Sequence, residues 1–185
     1  QSNFGGALEI RGVPIGRILG RAEFLERWAP TAAIGGNVEP DLAADWRPEL
    51  DPDAAGGSIM IVVATDAPVD AHALRRIAYR APYAIARVGG FSSHGSGDYV
   101  IAFSTAEGLR IPHEADSPLR TVEILRGEVL GRFFLATVEA TEEAILNSLF
   151  RATTVTGVDG HTAEALPIDE VRDRLAAAGV LGEGE

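Results

Sequence analysis

The sequence predicts a globular α/β domain, and three observations carry that expectation. Residues 59–64 (Ile-Met-Ile-Val-Val-Ala) and 98–104 (Asp-Tyr-Val-Ile-Ala-Phe-Ser) are short apolar runs rich in β-branched and aromatic residues, as buried strands are. Between them Leu74, Ile77, Ala81, Ile85 and Val88 recur at steps of three and four, which lines one face of a helix. With 46% of its 185 residues hydrophobic and 23% charged, the chain has enough apolar surface to bury a core, which excludes a disordered or fibrous class.

Taken in order, residues 7–19 alternate, with Leu8 and Ile10 against Glu9 and Arg11. Gly12 makes a turn before Val13, Ile15 and Ile18, and the pattern predicts a β-hairpin. Residues 29–57 hold four of the ten prolines, the pairs Gly35-Gly36 and Gly56-Gly57, and six acids against one arginine, the composition of a loop or a processing linker. Trp28 and Trp46 in or beside this stretch either pack it or cover the mouth of a site. The run at 59–64 lacks alternation, so it is expected to be a central strand covered on both faces. Asp66-Ala67-Pro68 turns the chain into the helix of residues 74–88, distorted at Pro82 and ended by Gly89-Gly90.

A glycine- and serine-rich loop at 91–97 leads to the second strand. Residues 105–127 read as loops with a short strand near 122–125. Phe134, Val138, Thr141, Ile145 and Leu149 mark a long amphipathic helix whose other face carries Glu139, Glu142 and Glu143. Pro167 and Gly179 bracket a short last helix. No internal repeat stands out.

A net charge of −11 repels phosphate backbones, so nucleic acid is not an expected partner. No apolar run approaches the roughly 18 residues of a spanning helix and no signal peptide opens the chain, so no membrane partner is expected either. Zero cysteines exclude disulfides, thiolate catalysis and cysteine-zinc sites. Neither a metal nor a cofactor is expected, since His72, His94, His113 and His161 are scattered without ligand spacing. The expected compartment is the cytoplasm, with the periplasm open. A start at Gln1-Ser2-Asn3-Phe4-Gly5, without methionine and close to a hairpin, is expected to be the C-terminal part of a longer chain.

The local feature richest in chemistry is Gly56-Gly57-Ser58, which sets a hydroxyl at the junction of a linker and a strand. Ser58 either simply begins the strand or attacks its own preceding carbonyl, a reaction that the backbone freedom of glycine would permit. Cleavage at Gly57 would give Ser58 a free α-amine with an ordinary pKa of about 7.7 to 8.0, so one residue would supply both nucleophile and base. In His94-Gly95-Ser96-Gly97-Asp98, Ser96 and Asp98 stand two apart and can point the same way from a strand start; alternatively they satisfy turn amides. His94 fits a loop or pocket rim. Asn3 either belongs to a turn or offers its amide to an oxyanion.

Taken together, Gln1-Ser2-Asn3-Phe4-Gly5, residues 57–68 (Gly-Ser-Ile-Met-Ile-Val-Val-Ala-Thr-Asp-Ala-Pro), Gly95-Ser96-Gly97-Asp98, residues 102–105 and residues 140–145 resemble the DmpA family of L-aminopeptidase D-amidase/D-esterases and their β-peptidyl aminopeptidase relatives. The resemblance spans most of the chain. It implies an αββα sandwich like that of the Ntn hydrolases with different connectivity, of which this chain holds the C-terminal half. It implies a precursor that cleaves itself between Gly57 and Ser58, so that residues 1–57 end an α subunit and 58–185 form the β subunit. It further implies Ser58 as nucleophile, Asn3 as oxyanion donor, and Ser96 with Asp98 as supporting hydroxyl and carboxylate; some β-peptidyl enzymes carry glutamate where Asp98 stands. The implied substrate is a short peptide or amino-acid amide, and the implied partners are the upstream part of the precursor and further copies in a homo-oligomer. Relatives acting on pantetheine-type amides or oligoamides, or a non-catalytic truncated homologue, are the competing expectations.

Overall fold

The computed structural model describes residues 2–3, 6–20, 57–92 and 97–181, the first pair as backbone only. Three strands form the main sheet: β1 (Ser2–Asn3), β2 (Ser58–Thr65) and β3 (Asp98–Ser104), in that spatial order. β1 runs antiparallel to β2, with Ser2 opposite Ile59 and Asn3 opposite Ser58. β3 runs parallel to β2, from Ile59 opposite Asp98 to Thr65 opposite Ser104. A parallel pair needs a crossover, and here helices α2 (Ala71–Ala78) and α3 (Ala81–Arg87) provide it. The expected single helix is therefore two. Pro82 sits in the first turn of α3, where its missing N–H costs nothing, so the chain breaks at Tyr79-Arg80 instead of kinking at the proline. Asp70 caps α2, its carboxylate accepting from the Ala73 N–H at 2.7 Å.

The hairpin expected over residues 7–19 forms only its turn. Arg11 and Gly12 both take positive φ, and Ile10 bridges Val13, but Pro14 ends the second arm and a one-turn helix α1 (Ile15–Ile18) follows. The first arm pairs elsewhere: the Ala7 and Glu9 N–H groups donate to Gly89 and Val88 carbonyls, each at 3.1 Å.

Helix α4 (Leu130–Arg151) lays Thr137, Thr141 and Ile145 toward the sheet, while Glu142 pairs with Arg87 at 2.9 Å. The Thr137 hydroxyl satisfies itself within the helix, donating to the Phe133 carbonyl at 2.7 Å. Ile59, Ala84, Ile85, Val88 and Ile145 form the core cluster beneath the start of β2. Burying each large aliphatic side chain stabilises the fold by roughly 1.5–3 kcal/mol. The last helix, α5 (Ile168–Ala177), follows Pro167 and stops before Gly179, as expected, and its Val171 and Leu175 pack with Ile10, Val13 and Ile15. No strand forms at 122–125; the Leu125 N–H only tethers the segment to the Pro68 carbonyl at 2.8 Å. A small exposed hairpin, β4 (Val155–Thr156) with β5 (Thr162–Ala163), has no counterpart among the expectations.

The expectation that 59–64 is covered on both faces is met on one side among the described residues. Ile59, Ile61 and Val63 face the helices, but Met60, Val62 and Ala64 are exposed, as are Tyr99, Ile101 and Phe103 beside them. Apolar residues on both faces announced a two-sided strand; among the described residues only one side is covered. The linker at 29–57, apart from Gly57, lies outside the described residues, with Trp28 and Trp46. Among the described residues no helix is long and apolar enough to cross a membrane.

Candidate functional site

The sheet order alone brings three of the expected site positions to one place. Ser58 begins the middle strand. On one side the backbone of Asn3 lies opposite it; on the other, the parallel register puts Gly97 alongside and Asp98 one step further, opposite Ile59. These residues come from three segments of the chain, the outer two more than 90 positions apart, and strand pairing brings them together.

Around Ser58 the local geometry follows from the ladder. Gly57 is buried and Ser58 half-buried, which fixes the peptide between them at the edge of the core. The Ser58 hydroxyl accepts a hydrogen bond from the Gly97 backbone N–H at 3.1 Å. A Cβ built on Gly97 would lie 3.4 Å from Ser58 Oγ and 3.2 Å from Tyr99 Cε2, so a side chain here would touch both the hydroxyl and the tyrosine ring. Alternation along β2 places the Ser58 side chain on the same face as Met60 and Val62, the uncovered face.

Asp98 is half-buried, and its partner in the register is the buried Ile59. Cross-strand partners share a face, so its carboxylate starts from the helix-covered side and the Ser58 hydroxyl from the other. Ser96 and His94 fall in residues 93–96, outside the described residues, and so does the side chain of Asn3. Among the described residues no three His, Asp or Glu side chains cluster as a metal site.

Gly97 is a contact with no role assigned from sequence beyond its place in Gly95-Ser96-Gly97-Asp98. Its signal was present: a glycine directly before a strand that starts level with the Ser58 strand.

The model of peptidase family S58 matches residues 1–163. The β-peptidyl aminopeptidase BapA of Sphingosinicella microcystinivorans is 39% identical over 188 residues, covering 96% of this chain and 43% of the relative. BapA of Sphingosinicella xenopeptidilytica is 33% identical over 114 residues, 62% of this chain and 28% of the relative. Among solved structures, a protein of Pyrococcus horikoshii OT3 superimposes with a TM-score of 0.71 at 35% identity, over 96% of this chain and 40% of that one. The L-aminopeptidase D-Ala-esterase/amidase of Ochrobactrum anthropi, described as a variant of the Ntn hydrolase fold, gives 0.68 at 28% identity, over 96% and 41%. The chain thus spans less than half the length of these relatives, and its fold is the corresponding part of that Ntn-hydrolase-like architecture.

Proposed function

The chain belongs to peptidase family S58, and on that premise we propose that it is part of a self-processing serine aminopeptidase or amidase whose nucleophile is Ser58. The observation that carries the reading is the placing of Ser58. It follows a buried glycine at the head of a strand, its hydroxyl is held by a backbone N–H, and its side chain opens toward the uncovered face.

Two successive reactions use the same oxygen. In the precursor, Ser58 Oγ attacks the Gly57 carbonyl carbon and its proton passes to the departing amide nitrogen, leaving an ester and a free Ser58 amine. Water then hydrolyses the ester, giving a Gly57 carboxylate and restoring the hydroxyl. In turnover, Oγ attacks the acyl carbon of a substrate. The Ser58 amine takes the proton and delivers it to the leaving amine, and water releases the acyl group. Asn3 would donate its amide to the oxyanion, Asp98 would support the Ser58 ammonium and, with Ser96, the free ammonium of the substrate.

Substrates in this reading are short peptides and amino-acid amides, and the similarity to β-peptidyl aminopeptidases puts β-amino-acyl peptides first on the panel. The partners are the remaining part of a longer precursor and further copies of the chain. The test is the intact mass of the full-length product with and without Ser58→Ala. Two chains, the second beginning at Ser58, and an uncut variant lacking activity are expected. Cleavage at Gly57 in the variant would sink the assignment, and a single uncut chain in the wild type would favour a non-catalytic homologue.

A further inference from the structure

We propose that the Gly97 backbone N–H is the positioning group of the nucleophile, holding the Ser58 oxygen toward the open face and stabilising it as its proton leaves. The proposal rests on the reading of Ser58 as nucleophile and adds a group which that reading does not contain.

The ladder shows why this N–H is singular. At the far end of the pair the Thr105 N–H donates to the Thr65 carbonyl at 2.7 Å, one residue past the register partner Ser104. The register is uniform back to Ile59 opposite Asp98, so the same step carries the Tyr99 N–H to the Ile59 carbonyl. One rung further it would carry the Gly97 N–H to the carbonyl of Gly57. That rung is replaced: the Gly97 N–H donates to Ser58 Oγ. The exchange happens at the one peptide bond whose carbonyl must be attacked.

A hydroxyl has one hydrogen and two lone pairs. With Gly97 donating to one lone pair, the oxygen keeps its orientation while it forms the bond to carbon and its hydrogen passes to the proton acceptor. A donor fixed by the ladder does not have to reorganise as charge grows on the oxygen, and a hydrogen bond to the charged form favours that form. The missing Cβ has a separate consequence. A methyl group at 97 would meet Ser58 Oγ at an ordinary 3.4 Å and press the ring of Tyr99 at 3.2 Å. That ring is 63% exposed and can shift, so alanine at 97 fits and keeps the N–H.

This difference gives the experiment, made in the full-length polypeptide. Gly97→Pro removes the N–H, and Gly97→glycolate removes it by an ester without adding bulk, while Gly97→Ala keeps it. The readouts are the rate of Gly57–Ser58 scission, the second-order rate of Ser58 labelling by a sulfonyl fluoride, and kcat and KM on a processed sample. Glycolate and proline are expected to slow scission and labelling about 10- to 100-fold, as loss of a hydrogen bond to a charged oxygen does, with KM nearly unchanged, while alanine, which keeps the N–H, falls less than either. Wild-type rates in the glycolate variant would overturn the proposal, and so would an alanine variant that falls as far as the other two. Failure of the underlying reading is seen separately, in a Ser58→Ala protein that still cleaves or still turns over substrate.

Discussion

Gly89 is held by two constraints at once. Its φ is +89°, and a Cβ there would lie 1.9 Å from the Ala7 carbonyl oxygen, inside the hydrogen-bonded contact between residues 7–9 and the end of α3. Neither a rotamer change nor a small side-chain shift relieves a clash with backbone. Gly89→Ala is therefore expected to cost about 2–4 kcal/mol, combining left-handed strain with a forced displacement of the N-terminal segment. A denaturant midpoint measured on the full-length protein checks it; a loss under 1 kcal/mol would mean that the contact yields. The same residue shows what sequence offers at this scale. Gly89-Gly90 could be read as a helix stop, but the carbonyl it makes room for belongs to a segment some 80 residues earlier. Ser58 and Gly97 differ in the same way: each type suits its place, yet their hydrogen bond exists only because the strands run parallel in one register.

Helix α4 shows how far periodicity reaches. Its apolar spacing located the helix, and Ile145, 4% exposed, is where that face meets Ile59 and Ile85. Ile145→Ala should cost about 2–5 kcal/mol, because the cavity opens between two rigid elements. Removing the Arg87 partner of Glu142 should cost less than about 1 kcal/mol, since the Arg87 side chain is half exposed. Thermal or denaturant unfolding of the two variants side by side ranks these contributions; equal losses would show that the helix is held by its charge pair. Elsewhere local rules were legible but incompletely read. Asp159-Gly160, both at positive φ, is an ordinary hairpin signal that lies between β4 and β5. Pro14 is the reason that the residue 7–19 pattern, alternating though it is, does not become two strands.

At the scale of the whole molecule the sheet is unfinished among the described residues. Among the described residues β1 pairs with β2 at Ser58 and Ile59, and beyond that point the same edge of β2 borders a groove of about 410 Å³ walled by Thr137, Ala140, Thr141, Ala144 and Ser148 of α4. The Thr65 carbonyl points to β3, so by alternation the N–H and C=O groups of Met60, Val62 and Ala64 point into that groove. An unpaired strand edge beside a wall of small side chains leaves room for another strand, and the neighbouring face adds exposed Met60, Val62, Tyr99, Ile101 and Phe103. The sequence carried this as apolar residues on both sides of a strand; what covers the second side is not written in the strand itself. In the register of Ser2 opposite Ile59, a strand that continues β1 backwards runs antiparallel along residues 60–65 and fills the edge. If that strand is supplied by the longer precursor, the amides of Met60, Val62 and Ala64 in the processed full-length enzyme should exchange with deuterium at least about 100-fold more slowly than free amides, as ladder hydrogen bonds require. Fast exchange at these three, with slow exchange at Ile61 and Val63 on the β3 side, would show the edge to be open.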